Sequence, residues 1–122
     1  MLKRLVLSAA LAAAVPLTAG RAAQPITLKV NNAGDLADLC SAPPNSAGAD
    51  ARLNFCDGYA DGVVSLQLEH ATDKKPFCFP PGMNRRVTMD GFAKWVQGVP
   101  AHRSAPAPRA LVQYLTERFP CH

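Results

Sequence analysis

The sequence predicts an all-α domain, a compact bundle of four short helices stapled by two disulfides. Three observations carry that expectation. Apolar residues recur with the 3.6-residue period of amphipathic helices along the later part of the chain. Proline-rich stretches break that pattern at intervals. Four cysteines, an even number, all lie beyond an N-terminal segment with the layout of an export signal.

That segment comes first. Met1-Leu2-Lys3-Arg4 is a short basic start, Leu5 to Val15 is apolar with Ser8 as its one hydroxyl, and small residues around Gly20 and Ala22 follow. Basic, apolar, then small predicts a signal peptide over residues 1–22, cleaved after Ala22. The apolar run is far short of the roughly 20 residues that a membrane-spanning helix needs. The expected location is therefore periplasmic or secreted, with no membrane insertion after cleavage. Lys3, Arg4 and Arg21 belong to this segment, so the formal charge falls from +4 to +1, ten basic side chains against nine acidic. The remainder has no basic tract suited to nucleic acid; Lys74-Lys75 and Arg85-Arg86 are isolated pairs that read as solvated surface.

Residues 23–122 are about the size of one domain, where a hydrophobic core alone supplies modest stability. Cys40, Cys56, Cys78 and Cys121 are spaced 16, 22 and 43 apart. In a small exported chain such a set reads as a disulfide framework. Zinc is disfavoured because no closely spaced pair is present to seed a tetrahedral site. Neither metal nor cofactor is expected.

Ile26, Leu28 and Val30 alternate, but with no second alternating run they form an extended lead-in. Asn31-Asn32 can cap a first helix that carries Leu36, Leu39 and Cys40, and Pro43-Pro44 ends it. A second helix is expected from Asp50, as its cap, to about Ala71. Phe55, Tyr59, Gly62, Val63, Leu66 and His70 fall on its main stripe, with Ala60, Val64 and Leu68 as a lesser ridge. Two ridges need two packing partners, either another helix of the domain or a second subunit. Phe77 to Gly82 cannot be helical. Thr88 is the expected cap of a third helix striped by Met89, Phe92, Trp95, Val96 and Val99, stopped by Gly98 and Pro100. Val99 to Pro106 reads as a loop. Pro106 or Pro108 opens a fourth helix on which Ala107, Leu111, Leu115 and Phe119 recur every four residues. The core should be filled by Phe55, Tyr59, Leu66, Trp95, Leu111, Leu115 and Phe119.

Cys40 ends the first helix and Cys56 lies early in the second, so an antiparallel helix pair favours Cys40–Cys56 and leaves Cys78–Cys121; the other two connectivities stay open. Gly58 and Gly62, one turn apart inside a helix, each cost about 1 kcal/mol relative to alanine, which points to a close approach beside Tyr59. An enzyme would need a nucleophile and a base. The available pairs are Cys56 or Cys78 with His70 or His102, and oxidised cysteines cannot attack. Asp57 and Asp61 sit one turn apart, as solvated helix charges commonly do. A non-enzymatic protein-binding role is the expectation, with the ridge of Ala60, Val64 and Leu68 as an additional contact surface.

The surroundings of the cysteines add a resemblance. Leu36-x-x-Leu39-Cys40, Phe55-Cys56-Asp57-Gly58-Tyr59-x-x-Gly62, Phe77-Cys78-Phe79-Pro80, Thr88, and Ala110-Leu111 leading to Phe119-Pro120-Cys121 follow one another in order. This set resembles the Tai-type (Rap/Tai) immunity-protein family, small periplasmic proteins associated with type VI secretion. The resemblance implies a protein that binds and blocks a peptidoglycan-cleaving amidase effector, often as a homodimer, by plugging the amidase groove with a protruding loop. By that analogy the plug is the loop Val99 to Pro106, with Val99, Pro100, His102 and Arg103, or else the loop Asp73 to Phe79. The prolines at 100, 106 and 108 depart from the charged residues usual in that connection. Two alternatives stand beside it: a periplasmic stress chaperone of the HdeA type, for which three histidines and few acidic clusters supply no clear acid trigger, and a structural partner in envelope assembly.

Overall fold

The computed structural model describes residues 25–122 together with positions 14, 16 and 20. Apart from those three positions, the expected signal peptide over 1–22 lies outside the described residues. The helices are α1 (Ala33–Cys40), α2 (Ala49–Glu69), α3 (Arg85–Gly98), α4 (Pro100–Arg103) and α5 (Ala107–Arg118), and no strand occurs among the described residues. The all-helical expectation holds, with one short helical turn, α4, added to the four expected helices.

The chain enters α1 through an asparagine cap. The Asn32 side chain accepts the Asp35 backbone N–H at 2.9 Å, and Asp35 reaches back to the backbone N–H of Asn31 at 2.8 Å. Hydrogen bonds from the Asn31 backbone and then its side chain hold the Asp35 carboxyl below the ordinary carboxylate range. Leu36, Ala37 and Cys40 are buried, and α1 packs against all four other helices.

The start of α2 is a correction. Gly48, in the left-handed region at φ 72°, precedes the helix, and Asp50 lies within the first turn. Ile26 fills the space that a side chain at 48 would need, so both conformation and packing favour glycine here. The start of α3 is a second correction. Asn84, not Thr88, is the cap, accepting the Val87 N–H at 3.0 Å. Thr88 is buried one turn inside, its hydroxyl donating to the Asn84 carbonyl at 2.9 Å. Both residue types can cap, and tertiary packing chose which one stays outside the helix.

The core lies between α1, α3, α5 and the inner side of α2. Phe77, Phe92, Leu36, Met89, Leu111 and Leu115 are its largest fully buried side chains. Leu111 and Leu115 match expectation. Phe55, Tyr59, Trp95 and Phe119 are only partly buried, and Leu66 is 52% exposed. The reason on α2 is a rotated inner face: Cys56 and Ala60 are the buried positions, Tyr59, Val63 and Val64 pack on the core beside them, and Gly62 and Leu66 turn outward. Small residues face inward because the Cys40–Cys56 bond draws α2 close to α1, with Cα atoms 5.2 Å apart. Close contact leaves room for alanine, not phenylalanine.

Close packing also governs the contact of α3 with α5. The Tyr114 hydroxyl, buried, donates to the Thr88 carbonyl at 3.2 Å and lies where a Cβ on Gly91 would sit. Gly91→Ala should therefore lower stability by about 1–2 kcal/mol, overpacking outweighing the gain in helix propensity. Gly58→Ala, in open space, should raise the thermal midpoint. Melting curves of both variants check this; equal or opposite shifts would contradict the packing.

Candidate protein-binding surface

The four cysteines form Cys40–Cys56 and Cys78–Cys121, and none is free. Cys40 and Cys56 are buried, whereas Cys78 and Cys121 are exposed. The thiols considered as nucleophiles are thus committed to cross-links, which fit an oxidising compartment. No helix of the described residues is long and apolar enough to cross a membrane.

The segment expected as a loop over Val99 to Pro106 is a folded corner. Pro100 opens α4, where its missing N–H costs nothing. His102 stacks on Trp95, ring centroids 3.7 Å apart at 16°. The His102 Nδ1 lies 3.1 Å from the Trp95 carbonyl oxygen. A carbonyl only accepts, so Nδ1 carries the proton. Arg103 forms a fork on Asp38, at 3.2 and 2.9 Å, and its guanidinium lies over Gly34. The Ala33 N–H donates to the Ala105 carbonyl at 2.8 Å, and Trp95 Nε1 donates to Glu117 at 3.1 Å. α1 and α3 therefore both hold the corner, and the Trp95–Glu117 bond ties α3 in turn to α5. Val99 and Pro100 remain exposed at its tip.

The second candidate, Asp73 to Phe79, is anchored at one end. Phe77 is buried, the Cys78 N–H donates to the Phe119 carbonyl at 2.8 Å, and Phe79 packs edge-on against Phe119 at 5.3 Å. Thr72, Asp73, Lys74 and Lys75 are exposed, as are Leu66 and Leu68 on the last turns of α2. The structure does not bring the two segments together: one follows α3, the other closes on the C-terminal end of α5. Asp57 and Asp61 also have a structural role, pairing with Arg86 and Arg85 to tie α2 to α3. Sequence reasoning missed the Asp38–Arg103 fork and the Trp95–His102 stack. The first joins residues 65 apart and leaves no local signal. The second pair is seven apart, which faces only because Gly98 and Pro100 reverse the chain.

A small all-helical scaffold held by two cross-links, with exposed, braced corners, is the class of domain that the described residues form. The chain belongs to the family of Rap1a immunity proteins, whose model matches residues 32–121. No curated protein and no solved structure shows significant similarity to it. The matched region runs from the α1 cap to the last cysteine, so it contains both disulfides and every helix of the described residues.

Proposed function

We propose that this protein is a non-catalytic periplasmic immunity protein that binds a secreted peptidoglycan amidase of the type VI class and blocks its groove. The observation that supports it is the braced corner at Val99–Arg103 in a chain of the immunity family. A groove plug works best when its shape exists before binding, because ordering a loop at the moment of contact consumes affinity. Stacking on Trp95 and the fork on Asp38 supply that order, while Val99, 44% exposed, and Pro100 present an apolar tip. The amidase then loses access for its substrate without any chemistry by the inhibitor.

The test is co-expression with a candidate amidase in the periplasm, followed by lysis. The protein should prevent lysis, and Val99→Asp should weaken binding roughly tenfold or more if the tip enters a dry groove. Unchanged lysis despite good expression would count against inhibition. Protection lost with Lys74→Glu/Lys75→Glu but kept with Val99→Asp would move the contact to the loop Asp73–Phe79.

A further inference from the structure

The two cross-links differ in the property that governs exchange, the access of a thiolate to sulfur. Cys40 and Cys56 are 3% and 0% exposed, so no reagent reaches their bond until the bundle opens. Cys78 and Cys121 are exposed and border a cleft of about 620 Å³, wide enough for the cysteine side chain of another molecule. Lys74 and Lys75 line that cleft with His122, and Asp73 is the one acidic side chain among them. Neither lysine is in an ion pair among the described residues. Their ammonium groups favour an incoming thiolate and the thiolate that leaves.

The surroundings of this bridge also hold without it. Phe77 is buried, the Cys78 N–H donates to the Phe119 carbonyl, and Phe79 packs edge-on against Phe119. None of these contacts uses a sulfur. Cys121 Sγ lies 3.6 Å from the Lys75 carbonyl oxygen, an acceptor ready for a reduced thiol.

We propose that Cys78–Cys121 is a thiol–disulfide exchange site, opened in the folded protein by a dithiol while Cys40–Cys56 stays closed. The incoming thiolate bonds to one bridge sulfur. The Cys78–Cys121 bond breaks, and its electron pair leaves with the other sulfur as a thiolate. The second thiol of the reagent then attacks the mixed disulfide. The reagent ends as a disulfide, and two electrons and two protons pass to Cys78 and Cys121. Opening removes the covalent tie between the exposed residues 72–75 and the end of α5, so redox state sets how firmly that segment is held. The proposal is independent of the inhibitory role.

The test treats intact, oxidised protein with about 1–20 mM dithiothreitol in native buffer, then alkylates and maps the cysteines by mass spectrometry. Cys78 and Cys121 should be alkylated at least about tenfold sooner than Cys40 and Cys56, at a rate proportional to the reagent, with far-ultraviolet dichroism unchanged. Lys74→Glu/Lys75→Glu should slow this opening about threefold or more at low salt, and less at high salt. The Cys40–Cys56 rate in the same samples reports global unfolding and should not follow the charge change. Oxidised glutathione should re-form the same bond. Bridges that open together, or Cys40–Cys56 opening first, would overturn the proposal. So would dichroism lost along with the first bridge, a Cys78–Cys121 bond that resists the reagent, or a rate indifferent to the lysines.

Discussion

Replacing Cys40 and Cys56 together by alanine should lower the unfolding free energy by about 3–5 kcal/mol. Closing a loop with a sequence separation of 16 is worth about 3 kcal/mol in denatured-chain entropy. Two buried sulfurs are lost as well, and the lining of α1 and α2 around them loses contacts. Domains of this size have only about 5–15 kcal/mol in total, so the variant should sit near the edge of folding. Urea unfolding monitored by far-ultraviolet dichroism should show a midpoint lowered by roughly 1–3 M.

The comparison with the second bridge is the sharper part of this expectation. Cys78–Cys121 spans 43 residues and by loop length alone should count for more, about 4 kcal/mol. Its cysteines are exposed, however, and both lie outside the helices, Cys121 beyond the end of α5. Without the bond this end gains freedom in the native state too, which offsets part of the loss. The segment stays attached through the Cys78–Phe119 hydrogen bond and the Phe77, Phe79 and Phe119 rings. Cys78→Ala/Cys121→Ala should therefore be the milder pair. Were it the more damaging one, burial would not be what sets the value of these bonds.

Phe77→Ala should cost about 3–5 kcal/mol, as large as any single truncation in the domain. Phe77 is 1% exposed although it lies in no helix. It is the anchor that returns the chain from the end of α2 to the body of the bundle. Its loss leaves a cavity in the core and also detaches the backbone on either side. Hydrogen exchange should show this locally: the Cys78 amide, held at 2.8 Å by the Phe119 carbonyl, should lose protection well before the amides of α3. A Cys78 amide as slow as in the parent protein would mean that the bridge to Cys121 alone holds this segment.

Much of the fold was legible in the residues because it depends on local rules. Asn32, Pro43-Pro44, Gly98, Pro100 and Pro106 mark helix ends by what their backbones permit, and the breaks fall where they stand. The even cysteine count gave the staples, and their placement on neighbouring helices favoured the pairing that is observed. The face of α2 was legible only in part, since of its expected stripe Tyr59 and Val63 do pack on the core. By periodicity the larger side chains Phe55, Tyr59 and Leu66 look like the inner stripe, and Ala60 looks minor. Which stripe turns inward is decided by how near α1 stands, and the Cys40–Cys56 bond sets that distance.

The corner at Val99–Arg103 was hidden for the same reason. Its prolines read as a loop, yet Trp95, Asp38 and Ala33 hold it as a turn of helix, Asp38 from 65 residues away and Ala33 from farther still. The existence of the four longer helices, the chain breaks and the cross-link count are properties of short stretches, and the sequence by itself determined them. Which faces are buried and which segments are braced depends on distances between helices. Only the tertiary structure decided those, because no local backbone preference encodes them.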